Sequence, residues 1–110
     1  MGIQRISSKL SVCPQILVKD LAEVKAAGFM GIICNRPDGE GADQPRFAEI
    51  EKAANEIGLA ALYVPVQSGA ASMRDVAAFG KALEDLENPV LAYCGSGMRS
   101  ASLWSLQHTR

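Results

Sequence analysis

One pattern recurs along this chain: an amphipathic helical stretch, then a glycine, then a run of β-favouring residues. Leu17, Leu21 and Val24 fall at helical spacing, Gly28 follows, and Phe29–Cys34 reads as a strand. Phe47, Ile50, Ala54 and Ile57 repeat that spacing, Gly58 follows, and Leu59–Val66 reads as a second strand. A glycine just past a helix accepts the left-handed backbone that ends it. A third helix is predicted from Ser72, where Ser72 and Asp75 form a capping-box-like pair ahead of a buried stripe of Val76, Phe79, Leu83 and Leu86. Val90–Tyr93 reads as a strand, and a last helix carries Leu103, Trp104 and Leu106 as its predicted core face. The opening stretch, Arg5 to Val12, is expected to form a short hairpin or edge pair. Strands alternating with helices imply one α/β domain with a mainly parallel central sheet flanked by helices. The apolar runs Gly31–Cys34 and Val90–Tyr93 fit strands covered on both faces. Ligands of such sheets bind beyond the carboxyl ends of the strands, where Cys94 and Asn35-Arg36-Pro37 both fall.

Composition removes several classes of function. The 110 residues suffice for one core, and a net charge of -1 leaves no broad basic field for nucleic acid or a membrane surface. No apolar run approaches the roughly 20 residues of a membrane span, and Met1–Ser7 has no signal-peptide core. Three cysteines, Cys13, Cys34 and Cys94, are an odd number without CxxC spacing, which suits reduced thiols in a cytoplasmic protein. The lone histidine, His108, reads as a solvated terminal side chain. With no ligand spacing among these residues, neither a metal nor a cofactor is expected.

The chemistry concentrates in Cys94-Gly-Ser-Gly-Met-Arg-Ser100. A strand delivers a cysteine into a glycine-rich turn, and an arginine opens the next helix. A free thiol titrates near ~8.5 and is only slightly ionised at neutral pH. Helix N-termini and cations lower that value. The amides from Gly95 through Ser96, Gly97 and Met98 to Arg99 can form a nest for negative charge, and the following helix adds its positive end. Arg99 offers a planar fork for oxyanions, and Ser100 can donate to the thiolate or to the loop. Cys94 and Arg99 are therefore the candidate catalytic pair. Gly95, Ser96, Gly97, Met98 and Ser100 are candidate anion-binding residues, with Arg36 a further candidate on the rim. Asp38 and Glu40 share Arg36's loop and could rim the pocket with it; the simpler reading is a solvated turn shaped by Pro37 and Gly39. Cys34 reads as a packed small hydrophobe with a resolving thiol as its second role; Cys13, before Pro14, reads as structural.

The loop resembles the active-site loop of the rhodanese-type sulfurtransferases. The rest of the chain is similar to a different group. Ser11-Val-Cys-Pro-Gln-Ile16, Ile32-Ile-Cys-Asn-Arg-Pro-Asp-Gly39 and Tyr63-Val-Pro-Val66 resemble a bacterial domain with the dual-specificity phosphatase fold. That domain is the phosphatase-like domain of β-lactamase-hydrolase-like proteins, also regarded as a sulfur transferase family. The resemblance covers nearly all of residues 1–110. It implies a tyrosine-phosphatase-like fold, with C-terminal helices of that fold lying outside this sequence. It also implies a metallo-β-lactamase-fold persulfide dioxygenase as a fused or separate partner.

Loop length separates two enzyme classes. Phosphatases of this fold place five residues between cysteine and arginine; four stand between Cys94 and Arg99, as in rhodaneses. The phosphatase fold also places an acid after the strand that corresponds to Leu59–Val66, to protonate the leaving group. Here that loop reads Gln67-Ser-Gly-Ala-Ala71, with no carboxylate, and Asp75 falls at a helix cap. Both features favour a sulfurtransferase that takes sulfane sulfur from thiosulfate or a persulfide through a Cys94 persulfide. The alternative is a phosphatase acting on phosphoesters through a Cys94 phosphocysteine. A third reading is a non-catalytic anion-binding module.

Overall fold

The computed structural model describes residues 1–108. Five strands form one sheet: β1 (Gln4–Arg5), β2 (Leu10–Cys13), β3 (Gly31–Cys34), β4 (Ala60–Tyr63) and β5 (Val90–Tyr93), in the spatial order β1-β2-β5-β3-β4. β2, β5, β3 and β4 run parallel, and β1 alone pairs antiparallel, against β2. The helices are α1 (Leu21–Ala26, entered through a 3-10 turn at Val18–Asp20), α2 (Phe47–Glu56), α3 (Met73–Asp85) and α4 (Met98–His108). The expected mainly parallel α/β domain is what forms.

Strand periodicity divides the core. Ile32, Cys34, Leu91, Tyr93 and Cys13 pack on one face with Leu21 and Val24 of α1 and Ile50 and Ala54 of α2. Ile33, Val90, Ala92, Leu10 and Val12 pack on the other with Val76 and Phe79 of α3 and Leu103 of α4. Successive residues of a strand point to opposite faces, so both strands expected to be covered on both faces are buried throughout. Leu83, expected in the buried stripe of α3, is only partly buried at the margin of this second cluster.

Local signals hold where the backbone alone decides. Gly28 and Gly58 end α1 and α2 with φ of 96° and 83°. Ser72 Oγ accepts from the Asp75 amide at 3.1 Å, and Asp75 Oδ2 accepts from the Ser72 amide at 2.9 Å, closing the capping box. The expected strand Leu59–Val66 shortens to Ala60–Tyr63, and beyond it the Asn35 side chain, through Nδ2, takes the Val64 carbonyl that a β3 backbone amide would otherwise use. The chain nevertheless stays beside β3, with the Val64 amide on the Cys34 carbonyl and the Val66 amide on the Asn35 carbonyl. Of the expected core face of α4, Leu103 is buried and Trp104, half-buried, packs against the same cluster and stacks on His108 at 3.9 Å, but Leu106 is 49 % exposed and lines the cavity beside the loop after β4.

β5 lies at the centre of the sheet, between β2 and β3 in matched register, Cys13 and Cys34 both opposite Tyr93. Cys94 therefore emerges at the carboxyl edge between two neighbouring strand ends. No helix among the described residues is long and apolar enough to cross a membrane.

Since the capping box uses both Ser72 and Asp75, Ser72→Ala should destabilise the domain by about 1 kcal/mol. Urea unfolding should show a lower midpoint at unchanged slope.

Candidate active site

The turn after β5 wraps the Cys94 sulfur in backbone amides. The Gly97 amide donates to Sγ at 3.0 Å. Burial by itself would raise the Cys94 pKa; the amides of Ser100, Ser96, Gly97 and Arg99 outweigh it and hold the thiol below its ordinary range. Gly97 makes that turn possible. Its φ is +92°, and a Cβ there would lie 3.3 Å from the Cys13 carbonyl carbon, so β2 and the loop touch through backbone alone. Gly95 lies under two guanidiniums: a Cβ on it would sit 3.7 Å from Arg36 Nε and 4.0 Å from Arg99 Nη2.

The other thiols behave differently. Burial pushes Cys13 up to about 12, and the nearby Cys94 adds to the effect. Burial also raises Cys34, whose Sγ donates to the Arg36 carbonyl at 3.3 Å. All three cysteines are free, and among the described residues no cluster could hold a metal ion.

Ser100 is turned away from the sulfur. Its hydroxyl donates to Asn35 Oδ1 at 2.8 Å, a partner outside the two expected for it, the thiolate and the loop, and it is the Ser100 amide that serves the sulfur. Asn35 is fully buried, and both its backbone and its side chain are bonded. Its amide donates to the Tyr93 carbonyl, Nδ2 to the Val64 carbonyl, and its carbonyl accepts from Val66. It ties the ends of β3, β4 and β5 to the start of α4. Sequence reasoning placed Asn35 at a strand end but gave it no role; a polar side chain closing an apolar strand was the available signal.

Arg99 is oriented from outside. Its Nη1 donates to Glu40 Oε2 at 3.0 Å and to the Val66 carbonyl at 2.9 Å, and its Nη2 donates to Glu40 Oε1 at 3.2 Å. A guanidinium carries five N–H groups. Two remain, one on Nη2 and the one on Nε, and they lie side by side. Nε is buried and meets no acceptor among the described residues. Glu40 also accepts from Arg36 Nε at 3.2 Å, and the Arg99 bond above all holds its carboxyl below the usual carboxylate range. Arg36 in turn gives Nη1 to Gln15 Oε1 at 3.1 Å. Arg36 thus reaches the rim through Glu40 and Gln15. Asp38, the third residue expected there, accepts the Phe47 amide at 2.8 Å and begins α2.

Ser96, Met98 and Arg99 line a cavity of about 470 Å³, whose far wall comes from Gln67, Ser68 and Ala71 on the loop after β4. An anion entering there meets Arg99 and the positive end of α4, while Cys94 lies buried behind the loop rather than on the cavity wall.

The chain matches, over residues 2–110, the sequence family described as the phosphatase-like domain of the β-lactamase hydrolase-like protein. It is 33 % identical over 106 residues to the β-lactamase hydrolase-like protein of Agrobacterium fabrum and 34 % identical over 106 residues to that of Xylella fastidiosa. Each match covers 96 % of this chain and 25 % of the relative, so the chain spans about a quarter of their length. Among solved structures, a candidate phosphatase from Neisseria meningitidis superposes with a TM-score of 0.90 at 34 % identity, covering 97 % of this chain and 76 % of that one. The core catalytic domain of a PP-IP phosphatase from S. cerevisiae gives 0.69 at 14 % identity over 94 % of this chain and 62 % of that one, a likeness of fold alone.

The three thiols should separate in solution. Iodoacetamide at neutral pH is expected to modify Cys94 ahead of Cys13 and Cys34, read by peptide mass. The pH midpoint of the Cys94 rate should fall below that of a free thiol.

Proposed function

The chain belongs to the family of phosphatase-like domains of β-lactamase-hydrolase-like proteins, and we propose that it is a cysteine-dependent phosphatase acting through a phosphocysteine at Cys94. The observation that carries this reading is the unused edge of Arg99. Its Nε and Nη2 donors stand parallel, a match for two oxygens of one tetrahedral oxyanion. The amides around Cys94 supply the remaining donors.

In the first step the Cys94 thiolate attacks phosphorus. The S–P bond forms as the bond to the leaving oxygen breaks, and that oxygen departs with the electron pair. Arg99 holds two non-bridging oxygens, and donors aimed where charge develops lower the barrier. Water then attacks phosphorus, the S–P bond breaks, and the thiolate returns to its amides as inorganic phosphate leaves. This is covalent catalysis in two displacements. Gly95, Ser96, Gly97 and Met98 shape the cradle in this scheme, and the Ser100 amide serves the sulfur. Arg36 acts at one remove, by holding Glu40.

Sulfur transfer is the second reading, favoured by the four-residue spacing between Cys94 and Arg99. Thiosulfate would give two sulfonate oxygens to the same Arg99 edge and its outer sulfur to Cys94. The new S–S bond forms, the old one breaks, and sulfite leaves. A sulfur-donor substrate and a persulfide dioxygenase partner belong to this reading.

Intact mass after acid quench decides between them. With an activated aryl phosphate, wild type should gain one phosphoryl group, and Cys94→Ser should gain nothing and turn nothing over. Arg99→Lys should lower kcat/KM by about 100-fold, since one preorganised donor contributes ~10²–10³. A single added sulfur from thiosulfate, with no phosphoryl adduct, would reverse the ranking.

A further inference from the structure

Every acid near the cradle already has a structural task. Asp75 closes the capping box of α3 with Ser72. Asp38 holds the first amide of α2. Glu40 touches Arg99 through both oxygens and Arg36 through one. Among the described residues, Arg99 is the only ionisable side chain lining the cavity. Its other polar walls are Gln67 and the hydroxyls of Ser68, Ser96 and Ser102. The Tyr63 phenol, at the end of β4, is engaged on Asp38: it accepts that residue's amide at 2.9 Å, and its ring stacks on Phe47. The loop facing Ser96 and Arg99 across the cavity is thus neutral.

We infer that the site serves monophosphates whose leaving group departs as a stable anion without protonation, the acyl and aryl phosphates, and discriminates against alkyl phosphates. The inference rests on the phosphatase reading and adds its substrate class. The attacking side of the reaction is fully built: a thiolate among amides, and an oxyanion fork. Among the described residues, the cavity wall formed by the loop after β4 holds no carboxylate, phenol or imidazole to give a departing oxygen its proton. Carboxylates and phenolates leave unaided, whereas an alkoxide does not. A positioned general acid contributes ~10²–10⁴-fold where the leaving group is poor, so its lack falls almost entirely on alkyl esters.

The test is a leaving-group series on the wild-type protein, with phosphate release measured for acetyl phosphate, 4-nitrophenyl phosphate, phenyl phosphate and glycerol 3-phosphate. Cys94→Ser serves as the blank. The first-step rate should fall steeply along the series, with the alkyl ester at least ~10³-fold below 4-nitrophenyl phosphate. Glu40→Gln should lower kcat/KM for every member by one common factor, because Glu40 acts only by holding Arg99. Cys94-dependent turnover with a flat series would overturn the inference and leave the phosphatase reading standing. A Glu40→Gln loss confined to poor leaving groups would overturn it too, by showing that Glu40 is the acid. If no member releases phosphate in a Cys94-dependent way, the phosphatase reading fails and takes the inference with it.

Discussion

A buried anion can persist only where hydrogen bonds replace the water it has lost. Cys94 is 1 % exposed, and a thiolate in that position would be strongly disfavoured without donors. The amides of Ser96, Gly97, Arg99 and Ser100 replace its solvent. A hydrogen bond to a charged group contributes about 1.5–3 kcal/mol, so several together can reverse the penalty of burial. Cys13 and Cys34 make the comparison within one molecule. They pair with the same residue of β5, they are as buried, and with no such nest their thiols are pushed up instead.

Much of the surrounding structure serves to keep those amides aimed. Gly97 lets the loop press on the Cys13 backbone. The Ser100–Asn35 bond fixes the first turn of α4 to the end of β3. The Glu40 carboxylate lies between two guanidiniums, partly exposed, where a salt bridge adds little to stability. Its consequence is geometric. By taking the outward pair of Arg99 donors, with the Val66 carbonyl taking another, it leaves only the inward edge for a ligand.

Legibility in the sequence followed the range of the interaction. The helix–glycine–strand recurrence, the Ser72 cap and the Cys94 turn are written within a few residues of themselves, and each formed, although α1 begins at Leu21 and leaves Leu17 outside it, and β3 and β4 are shorter than the runs that predicted them. The strands buried on both faces were legible because a short apolar run without alternation has no polar side to turn towards water. The bonds that complete the site were not. Ser100 meets Asn35 across 65 positions, and Arg99 meets Glu40 across 59. No periodicity spans such distances, so Glu40 read as part of a solvated turn and Ser100 as a donor to the thiolate or the loop. The loop after β4 was legible by what it lacks: Gln67 to Ala71 carries no carboxylate, and the folded cavity wall is neutral.

Fold and loop length pull the substrate in different directions, towards phosphorus and towards sulfur, yet the geometry makes the same two demands in either case. The head group must present two oxygens to the inner edge of Arg99, and the atom bonded to the Cys94 target must leave as an anion that needs no proton. Thiosulfate, with sulfite as its leaving group, meets both conditions. So do acyl and aryl phosphates. A simple alkyl phosphate meets only the first, and a simple alkyl persulfide lacks the oxygens. On either reading the proposed substrate is a class of bond before it is an element: a tetrahedral oxyanion joined to a good leaving group. What separates sulfur from phosphorus within that class is the position of the electrophilic atom relative to the Arg99 fork. In thiosulfate it is the outer sulfur, one bond beyond the atom that bears the oxygens. In a phosphate it is the central atom that bears them. The distance from Cys94 Sγ to the centre of a bound oxyanion therefore carries the distinction that neither the fold nor the residue count can carry alone.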